Sequence, residues 1–377
     1  MFYCFFLGRE PLLSFAEISA VFQSQKINYK VTDFVVNKQW LFIEADNSLP
    51  IHWLMDRLGG TIKIAELVEE ADGSVDSIVA YLLKTIPDGK VEFSVVCEGN
   101  KNFGLEVKKL GKENKVNFRY IEAKNTATIL HNNLVKKQSD LMVVGKKVFV
   151  TRAIQPIEEF GERDYGRPGR DAKSGMLPPK LARLMVNLAG ADENSMLYDP
   201  FCGSGTILTE AADIGYDNLV GSDLSKEAVK ATETNLRWLT EKADKKINTN
   251  IFAADVRQLP KEKFRSIKIN FIVTEPYLGR PRYGKETETQ LQRQATELAQ
   301  LYKGALVSFS SILSSGSTVI MAIPRFRFMN SWIRIPFANL LVGSNFKIDP
   351  LLPDEPTILY ARKTQWVGRE IWRLKKV

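Results

Sequence analysis

Residues 196–206 are Met-Leu-Tyr-Asp-Pro-Phe-Cys-Gly-Ser-Gly-Thr, in which an apolar strand runs directly into a glycine turn that opens a helix. Gly203 and Gly205 allow a tight turn and a close approach to a ligand, and the following helix adds oriented N–H groups. The glycines alone are also compatible with a plain strand-to-helix connection. The residues around them are needed to decide between the two interpretations.

Acidic side chains follow three predicted strands. Asp199 ends the strand before the glycine turn, and Asp223 and Asp255 end the next two strands. In a doubly wound sheet these strand ends lie in one crevice beside the turn. An acidic residue about twenty positions past such glycines accepts hydrogen bonds from ribose hydroxyls, which is the role predicted for Asp223. Asp255 is then the predicted partner of an adenine amino group and Asp199 of an ammonium group, with Phe201 in contact with the same ligand.

One ligand combines an amino acid, a ribose and an adenine without a phosphate, namely S-adenosylmethionine. A dinucleotide such as NAD would require the pattern Gly-x-Gly-x-x-Gly, but position 208 is leucine in this chain. A carboxylate as close as Asp199 would also repel a pyrophosphate. The sequence therefore predicts S-adenosylmethionine as the cofactor.

The second half of the chain alternates strand and helix patterns. Helix-sized intervals separate apolar runs at residues 196–198, 218–221, 250–253, 269–273 and 318–323. This alternation predicts a parallel, doubly wound sheet in an α/β domain over residues 180–377.

The fourth of these strands ends in Thr274-Glu275-Pro276-Tyr277, and these four are the predicted catalytic residues. The tetrapeptide resembles the motif of amino-methyltransferases, which have Asp or Asn, then Pro, Pro, and Tyr or Phe. There, oxygen acceptors contact the hydrogens of an exocyclic amine while the aromatic ring stacks on the flipped base. Pro276 and Tyr277 match directly, whereas the acceptor is Thr274 by position or Glu275 by chemistry. A site that no longer catalyses is a third interpretation.

The first half of the chain has a different organisation. Residues 1–62 alternate strand patterns with an amphipathic helix, in which Ser14 and Glu17 have the spacing of an N-terminal capping box. Residues 63–153 form a second α+β segment. Residues 154–179 are rich in Gly, Pro and charge, which predicts a connector.

Charge is segregated along the chain, whose formal net charge is +8. Residues 101–152 contain twelve Lys or Arg against four Asp or Glu, and residues 361–377 contain six against one. This segregation favours a nucleic-acid partner, bound through phosphate contacts that weaken with salt. The predicted RNA-binding residues are Lys108, Lys109, Lys112, Lys136, Lys137, Lys146 and Lys147.

Two further stretches resemble THUMP-containing tRNA guanosine N2-methyltransferases, which modify guanosine 10. They are residues 170–183, Arg-Asp-Ala-Lys-Ser-Gly-Met-Leu-Pro-Pro-Lys-Leu-Ala-Arg, and residues 3–22 with Leu-Gly-Arg at 7–9. The resemblance implies a Rossmann-like class I methyltransferase domain preceded by an α+β region. This region would be ferredoxin-like over residues 1–62 and THUMP-like over residues 63–153, and it would grip the acceptor end of tRNA. In and beside the connector, the candidates for the site entrance or for ordinary surface ion pairs are Arg167, Arg170, Asp171 and Lys180.

Other chemistries find little support. Three cysteines and two histidines are too few for a disulfide framework, a metal centre or a Ser-His-Asp triad, so no metal is predicted. Cys202 lies in the glycine turn, where a thiolate would face the cofactor and not a base, so a small buried filler is predicted. The chain shows no secretory signal and no run of about eighteen apolar residues, which predicts a cytoplasmic location without membrane contact.

The sequence thus predicts an S-adenosylmethionine-dependent tRNA methyltransferase that forms N2-methylguanosine. The alternatives are a DNA adenine N6-methyltransferase and an RNA-binding protein that retains the fold without catalysis. The number of methyl groups added, the need for a partner subunit and the oligomeric state stay open.

Overall fold

The computed structural model describes residues 1–169, 176–264 and 267–377, and the chain divides into two compact units. The first unit holds Met1–Pro11 and Lys26–Pro156, and the second holds Leu12–Gln25 and Ile157–Val377. The initial strand β1 (Phe2–Leu7) therefore belongs to the first unit, whereas nearly all of helix α1 (Pro11–Ser24) belongs to the second.

The first unit is built on one eight-stranded sheet. After β1, its strands are β2 (Tyr29–Val35), β3 (Trp40–Ala45), β4 (Thr61–Leu67), β5 (Val91–Cys97), β6 (Phe118–Tyr120), β7 (Asp140–Val144) and β8 (Lys147–Ile154). Its helices are α2 (Ile51–Arg57), α3 (Val75–Thr85), α4 (Phe103–Glu113) and α5 (Thr126–His131). The strand order is β2-β3-β1-β4-β8-β7-β5-β6.

The division into units differs from the domain boundary predicted at residue 62. Strand β4 pairs with β1 on one side and with β8 on the other, so both predicted segments share one sheet. Within the second predicted segment, Lys63 Nζ and Thr151 Oγ1 donate to buried Asp140 Oδ2 at 2.8 and 2.6 Å. The pairing offsets the cost of burying the Asp140 charge. The ferredoxin-like and THUMP-like assignments stay predictions.

Helix α1 does not begin with the predicted capping box. It begins at Pro11, whose fixed φ suits a first helical position, so Ser14 and Glu17 lie inside the helix. Both are buried, and Glu17 Oε1 accepts a hydrogen bond from Asn187 Nδ2 at 2.7 Å. The capping-box prediction is wrong, because both side chains lie inside the helix and are buried within the second unit.

The second unit contains the remaining elements. Its helices after α1 are α6 (Ile157–Gly161), α7 (Pro179–Leu188), α8 (Thr206–Asp213), α9 (Lys226–Ala243), α10 (Lys261–Phe264), α11 (Glu288–Ile312) and α12 (Phe337–Leu340). Its strands are β9 (Leu197–Asp199), β10 (Asn218–Asp223), β11 (Asn248–Ala253), β12 (Ile269–Thr274), β13 (Leu313–Phe328), β14 (Ser331–Arg334), β15 (Phe346–Ile348), β16 (Thr357–Tyr360) and β17 (Val367–Lys376). Within the described parts of the chain, no helix combines the length and apolar character needed to cross a bilayer.

The strands of the second unit form a nine-stranded sheet with the order β11-β10-β9-β12-β13-β17-β15. The five strands from β11 to β13 are parallel, as the alternating sequence pattern predicted. Strand β17 runs antiparallel to β13, with β14 paired to β13 and β16 to β17. The antiparallel part was not predicted from the sequence.

Alternate residues of the parallel strands pack into two separate cores, which is the result expected of a sheet buried on both faces. Leu197 and Leu219 pack with apolar side chains of α1, α7, α8 and α9. Their neighbours Tyr198 and Val220 pack with side chains of α11. The carboxyl ends of the strands are thereby left as the open edge of the sheet.

Strand β13 lies along one side of this open edge. It pairs with β12 as far as Met321, which lies opposite Thr274 at the end of β12. The rest of β13 pairs with β17 and β14 as far as Phe328. This part, residues 322–328 with β14 and the start of β17, continues past the carboxyl end of β12 and is called the β13 extension below.

The predicted connector begins as folded structure. Helix α6 runs into a π-helical turn over Glu162–Gly166, in which Arg163 is buried. Arg163 Nε and Arg183 Nε donate to the two oxygens of buried Glu210, at 2.7 and 2.8 Å. Because removing one partner leaves a buried charge uncompensated, each pair matters to stability by about 3 to 5 kcal/mol. Arg163, one of the charges of the predicted connector, is therefore part of a buried ion-pair cluster.

Candidate active site

The carboxyl ends of three adjacent strands bring the predicted site residues together. Asp199 ends β9, Asp223 ends β10 and Thr274 ends β12, and these strands are neighbours in the parallel sheet. Thr274 Oγ1 donates to Asp199 Oδ1 at 2.7 Å, and the backbone N–H of Gly203 donates to Asp223 Oδ2 at 2.9 Å. The cofactor motif and the tetrapeptide therefore form one site.

The glycine turn has the backbone conformation that the sequence predicted. Gly203 and Gly205 have φ of 53° and 82°, which disfavours any residue with a side chain. A Cβ at Gly205 would lie 2.9 Å from Cγ2 of Thr232, so α9 packs directly against it. A Cβ at Gly203 would meet open space, with the nearest atom, the Phe201 carbonyl oxygen, at 4.0 Å. The turn thus presents an open backbone surface to a ligand at Gly203.

The Asp223 carboxylate is held in one orientation. Its Oδ1 accepts from the N–H of Ser225 and its Oδ2 from the N–H of Gly203, both at 2.9 Å. A carboxylate has about four lone-pair positions, so two bonds leave room for others. Such a fixed acceptor next to the glycine turn fits the hydroxyls of a ribose.

Asp199 is buried at the centre of the site, with 1% of its surface exposed. Burial raises its pKa to about 7; hydrogen bonds from Thr274 and from the N–H of Phe201 lower it, and the charges of Asp223 and Glu275 raise it. A buried carboxylate that two others repel is stabilised by a cation. The buried carboxylate of Asp199 therefore fits the positively charged ammonium group at the amino acid end of S-adenosylmethionine.

Asp255 has a partner that sequence reasoning missed. The guanidinium of Arg257 donates to both oxygens of Asp255, with Nη2–Oδ2 at 2.6 Å, and its backbone N–H donates to Oδ1 at 2.9 Å. These hydrogen bonds lower the pKa of Asp255, so it stays ionised. An adenine amino group would share this carboxylate with Arg257.

The tetrapeptide divides into buried and exposed members. Thr274 is 0% exposed and Pro276 is buried, whereas the ring of Tyr277 is 54% exposed. The Tyr277 carbonyl accepts from the hydroxyl of Tyr302 at 2.7 Å, which fixes the backbone while the ring stays open to solvent. Tyr277 is therefore available to stack on a base.

Glu275 forms an ion pair with Arg369 of β17. Arg369 Nε donates to Oε1 of Glu275, and Nη2 donates to Oε2 at 3.3 Å. The Glu275 side chain retains 13% exposure, so it reaches the surface that Thr274 does not. Arg369 had been counted only as part of the basic tail, because its sequence position carries no signal of this pairing.

Two residues contact the glycine turn from outside it, namely Asn235, which sequence reasoning missed, and Arg167, which it named as a candidate for the site entrance. The carboxamide of buried Asn235 donates to the carbonyls of Gly169 and Ser204, at 2.7 and 2.8 Å, and accepts from the N–H of Gly169 at 2.7 Å. Arg167 Nη1 donates to Thr206 Oγ1 at 2.6 Å, at the first residue of α8. These hydrogen bonds hold residues 167–169 against the glycine turn.

The other predictions around the turn have separate outcomes. Cys202 is buried, burial raises its pKa, and Thr232 Oγ1 lies 3.5 Å from its sulfur, in keeping with a small filler. Lys180 is exposed, with Nζ 5.3 Å from the ring centroid of Phe160. Arg170 and Asp171 lie outside the described residues.

The predicted RNA-binding lysines all lie in the first unit. Five of them are exposed, namely Lys109, Lys112, Lys136, Lys146 and Lys147, and Lys108 is half-buried on α4. Lys137 instead donates to Glu92 at 2.8 Å, and the pKa of Glu92 falls to about 2 through hydrogen bonds from Lys137, Lys90 and Arg119. Lys136 also lines a surface cavity of about 500 Å³.

Comparison with known proteins identifies the domain around this site. Residues 167–335 match the UPF0020 family, described as an RMKL-like methyltransferase domain. The chain is 27% identical over 337 residues to a tRNA (guanine(10)-N2)-dimethyltransferase of Methanothermobacter thermautotrophicus, covering 86% of this chain and 88% of that protein. It is 29% identical over 231 residues to the protein of that name from Methanocaldococcus jannaschii, covering 56% of this chain and 64% of that one.

A solved structure resembles the whole chain. TrmN from Thermus thermophilus matches with a TM-score of 0.55 over 100% of both chains, at 16% sequence identity, which concerns the fold alone. The predicted fold class, a Rossmann-like methyltransferase domain after an N-terminal α+β region, is confirmed. The resemblance to tRNA guanosine N2-methyltransferases is also confirmed. The role of each site residue stays a prediction.

Proposed function

We propose that the chain, whose residues 167–335 form an RMKL-like methyltransferase domain, uses S-adenosylmethionine to methylate the exocyclic N2 amine of a guanosine in tRNA. The proposed position is guanosine 10, which the names of the two curated relatives specify. The reaction belongs to tRNA processing, and the proposed location is the cytoplasm.

One observation carries the proposal. The hydrogen bond from Thr274 Oγ1 to Asp199 Oδ1, 2.7 Å long and fully buried, joins the tetrapeptide to the cofactor motif. Methyl transfer requires the acceptor amine and the methyl donor to be held in line at close range. This bond fixes the two motifs relative to each other, which favours a working site over a protein that retains only the fold.

The residues around the glycine turn are suited to hold the cofactor. S-adenosylmethionine supplies an electrophilic methyl group on a sulfonium. In this proposal the Asp223 carboxylate binds the ribose hydroxyls and buried Asp199 faces the ammonium group. The open space at Gly203 allows the cofactor to approach the backbone of the turn. Phe201 and Asp255 complete the proposed contacts on either side.

Glu275 is the proposed acceptor for the target amine. Thr274 is fully buried and its hydroxyl hydrogen is directed to Asp199, so it acts as a positioning residue. Glu275 is held by Arg369 and keeps 13% of its side chain exposed. The new carbon–nitrogen bond would form as the bond between the methyl carbon and the sulfonium sulfur breaks, so that the cofactor leaves as the neutral thioether S-adenosylhomocysteine. The amine nitrogen loses one proton, which Glu275 accepts, while Tyr277 stacks on the base.

The carboxylate also favours guanine over adenine. Guanine presents N1–H and N2–H side by side on its Watson–Crick edge, and both donate to one carboxylate. Adenine presents a donor beside the N1 acceptor, and this lone pair repels a carboxylate oxygen. A DNA adenine N6-methyltransferase is therefore the less favoured alternative.

The test is methylation of unmodified tRNA transcripts by the purified protein with S-adenosylmethionine, followed by nucleoside mass spectrometry. We expect N2-methylguanosine or its dimethyl form, and a transcript with guanosine 10 replaced by adenosine should stay unmodified. N6-methyladenosine in duplex DNA would support the DNA alternative. Tight tRNA binding without cofactor binding would support a non-catalytic protein.

Four variants at three residues test the assigned roles. Asp223→Ala should weaken cofactor binding, measured by calorimetry, and an unchanged affinity would contradict the ribose role. Glu275→Ala should abolish turnover with cofactor affinity retained, whereas Thr274→Ser should keep the bond to Asp199 and most of the activity. Full turnover in both Glu275→Ala and Thr274→Ala would refute the proposed acceptor site.

A further inference from the structure

The segment that follows the tetrapeptide, residues 278–286, is held on the β13 extension by a buried arginine. Arg282 Nη1 donates to the backbone carbonyls of Arg327 at 2.6 Å and of Trp366 at 3.0 Å. Its guanidinium lies 5.5 Å from the Trp366 ring centroid, and Nη2 donates to Glu286 at 3.2 Å. The second oxygen of Glu286 accepts from the N–H of Tyr283 at 2.7 Å. Arg282 thus connects residues 278–286 to β13 and to the residue that precedes β17, and its pair with Glu286 lies within the segment.

Two glycines allow the backbone of residues 278–286 to approach α11 and Trp366 closely. A Cβ at Gly279, with φ of 98°, would lie 2.3 Å from Nε2 of Gln294 on α11. A Cβ at Gly284, with φ of 77°, would lie 2.6 Å from Cζ2 of Trp366. The segment therefore packs closely at both ends, and the side chains that point away from these contacts are held on a fixed backbone.

Those outward side chains are one aromatic ring and two cations. Tyr283 is 79% exposed, and Arg280 and Lys285 are exposed on either side of it. Neither cation forms an ion pair with a carboxylate of the described residues, whereas the charge of buried Arg282 faces Glu286. Because Glu286 serves the buried arginine, the exposed face of the segment is positive.

We infer that Arg280, Tyr283 and Lys285 form a contact surface for the RNA strand that flanks the target nucleotide. A pre-positioned ring beside unpaired cations is the combination that binds single-stranded nucleic acid, through base stacking and phosphate contacts. Tyr283 lies six residues after Tyr277, so its Cα is within about 20 Å of that of the stacking tyrosine. This inference rests on the proposed function, because it names where the same substrate contacts the second unit.

The two kinds of contact have different signatures in a binding experiment. Loss of a stacking ring weakens RNA binding equally at every salt concentration, by about 10-fold or more. Loss of a phosphate contact weakens binding and also lowers the slope of log affinity against log salt by about 1. A role in folding alone would change the melting temperature and leave both quantities unchanged.

The experiment measures binding of an unmodified tRNA transcript to the full chain across a salt series. The variants are Tyr283→Ala, Tyr283→Phe, Arg280→Ala and Lys285→Ala. Arg237→Ala is the matched control, because Arg237 is an exposed cation on α9, whose buried leucines pack in a different core from those of α11. Cofactor affinity and melting temperature are measured for each variant.

We expect Tyr283→Ala to weaken RNA binding with the salt slope unchanged, and Tyr283→Phe to restore it. Arg280→Ala and Lys285→Ala should each lower the slope, and Arg237→Ala should match the wild type. Suppose that Tyr283→Ala, Arg280→Ala and Lys285→Ala all bind tRNA within about 2-fold of the wild type, and that the wild type methylates it. The inference is then wrong and the proposed function stands. If the wild type neither binds nor methylates tRNA, both are wrong.

Discussion

Binding of S-adenosylmethionine should strengthen as the pH rises, because Asp199 must lose its proton before it can pair with the ammonium of the ligand. Burial raises the pKa of Asp199 to about 7 in the protein without ligand. Below that pH the carboxyl is neutral and offers no charge to the ligand. Cofactor binding therefore selects the ionised form and releases a proton to solution.

The size of the effect follows from the fraction of protein that is ionised. With a pKa of about 7, roughly 3% of Asp199 is ionised at about pH 5.5 and half at about pH 7.0. If the ionised form alone binds, the apparent Kd falls about 15-fold over this range. The range stays below the ordinary pKa of an α-amino group, about 7.7 to 8.0, so the ligand keeps its own charge.

Isothermal titration calorimetry at several pH values, in buffers of different ionisation enthalpy, measures both the Kd and the number of protons released. Asp199→Asn should give a weak, pH-independent Kd. Asp255→Asn is the matched control, because the pKa of Asp255 is lowered and its charge does not change in this range, so the pH dependence should persist. A flat profile in the wild type, or the same slope in Asp199→Asn, would refute the assignment.

The raised pKa of Asp199 also determines how the free energy of unfolding changes with pH. Its pKa is higher in the folded chain than in the unfolded one, so the folded state binds the proton more tightly. Without cofactor, the contribution of Asp199 to the free energy of unfolding should decrease as the pH rises from about 4 to about 7. Urea titrations of wild type and Asp199→Asn across this range would show the difference, and equal pH dependence in both would contradict it.

Three further changes have defined outcomes. Asn235→Ala removes three hydrogen bonds behind the cofactor turn, and should lower the free energy of unfolding by about 2 to 3 kcal/mol in urea titrations and weaken cofactor binding in calorimetry. Glu275→Gln should lower kcat on tRNA about 100-fold with an unchanged Kd for the cofactor, because the acceptor loses its charge. Gly205→Ala places a Cβ 2.9 Å from Thr232 and should lower the melting temperature more than Gly190→Ala, which has a positive φ without a clash. Equal losses in the two glycine variants would contradict the packing role.

The site was predictable from the sequence where its chemistry is local. Gly203 and Gly205 indicate a turn because their backbone conformation depends on neighbouring residues, and Asp223 and Thr274 follow from their positions at strand ends. Parallel strand order then brings these ends together without any further information. The same reasoning identified the strands of the second sheet from β9 to β13.

The partners of those residues were not predictable, because they come from distant parts of the chain. Arg369 reaches Glu275 across 94 residues, and Asn235 reaches Gly169 across 66. Neither residue type carries a signal by itself, since surface arginines and helical asparagines are common. Arg257 is only two residues from Asp255, but its pairing depends on a short 3₁₀ turn over Val256–Gln258 that has no clear sequence pattern.

Helix α1 is made long before the structure that it completes. Its Glu17 pairs with Asn187, 170 residues further along the chain. At roughly 5 to 20 residues per second, about 10 to 30 s of translation separate the two. During that interval the apolar side chains Leu13, Ala16 and Ala20 emerge without the core that later buries them. The apolar face of α1 therefore stays without its packing partners in the nascent chain during that interval.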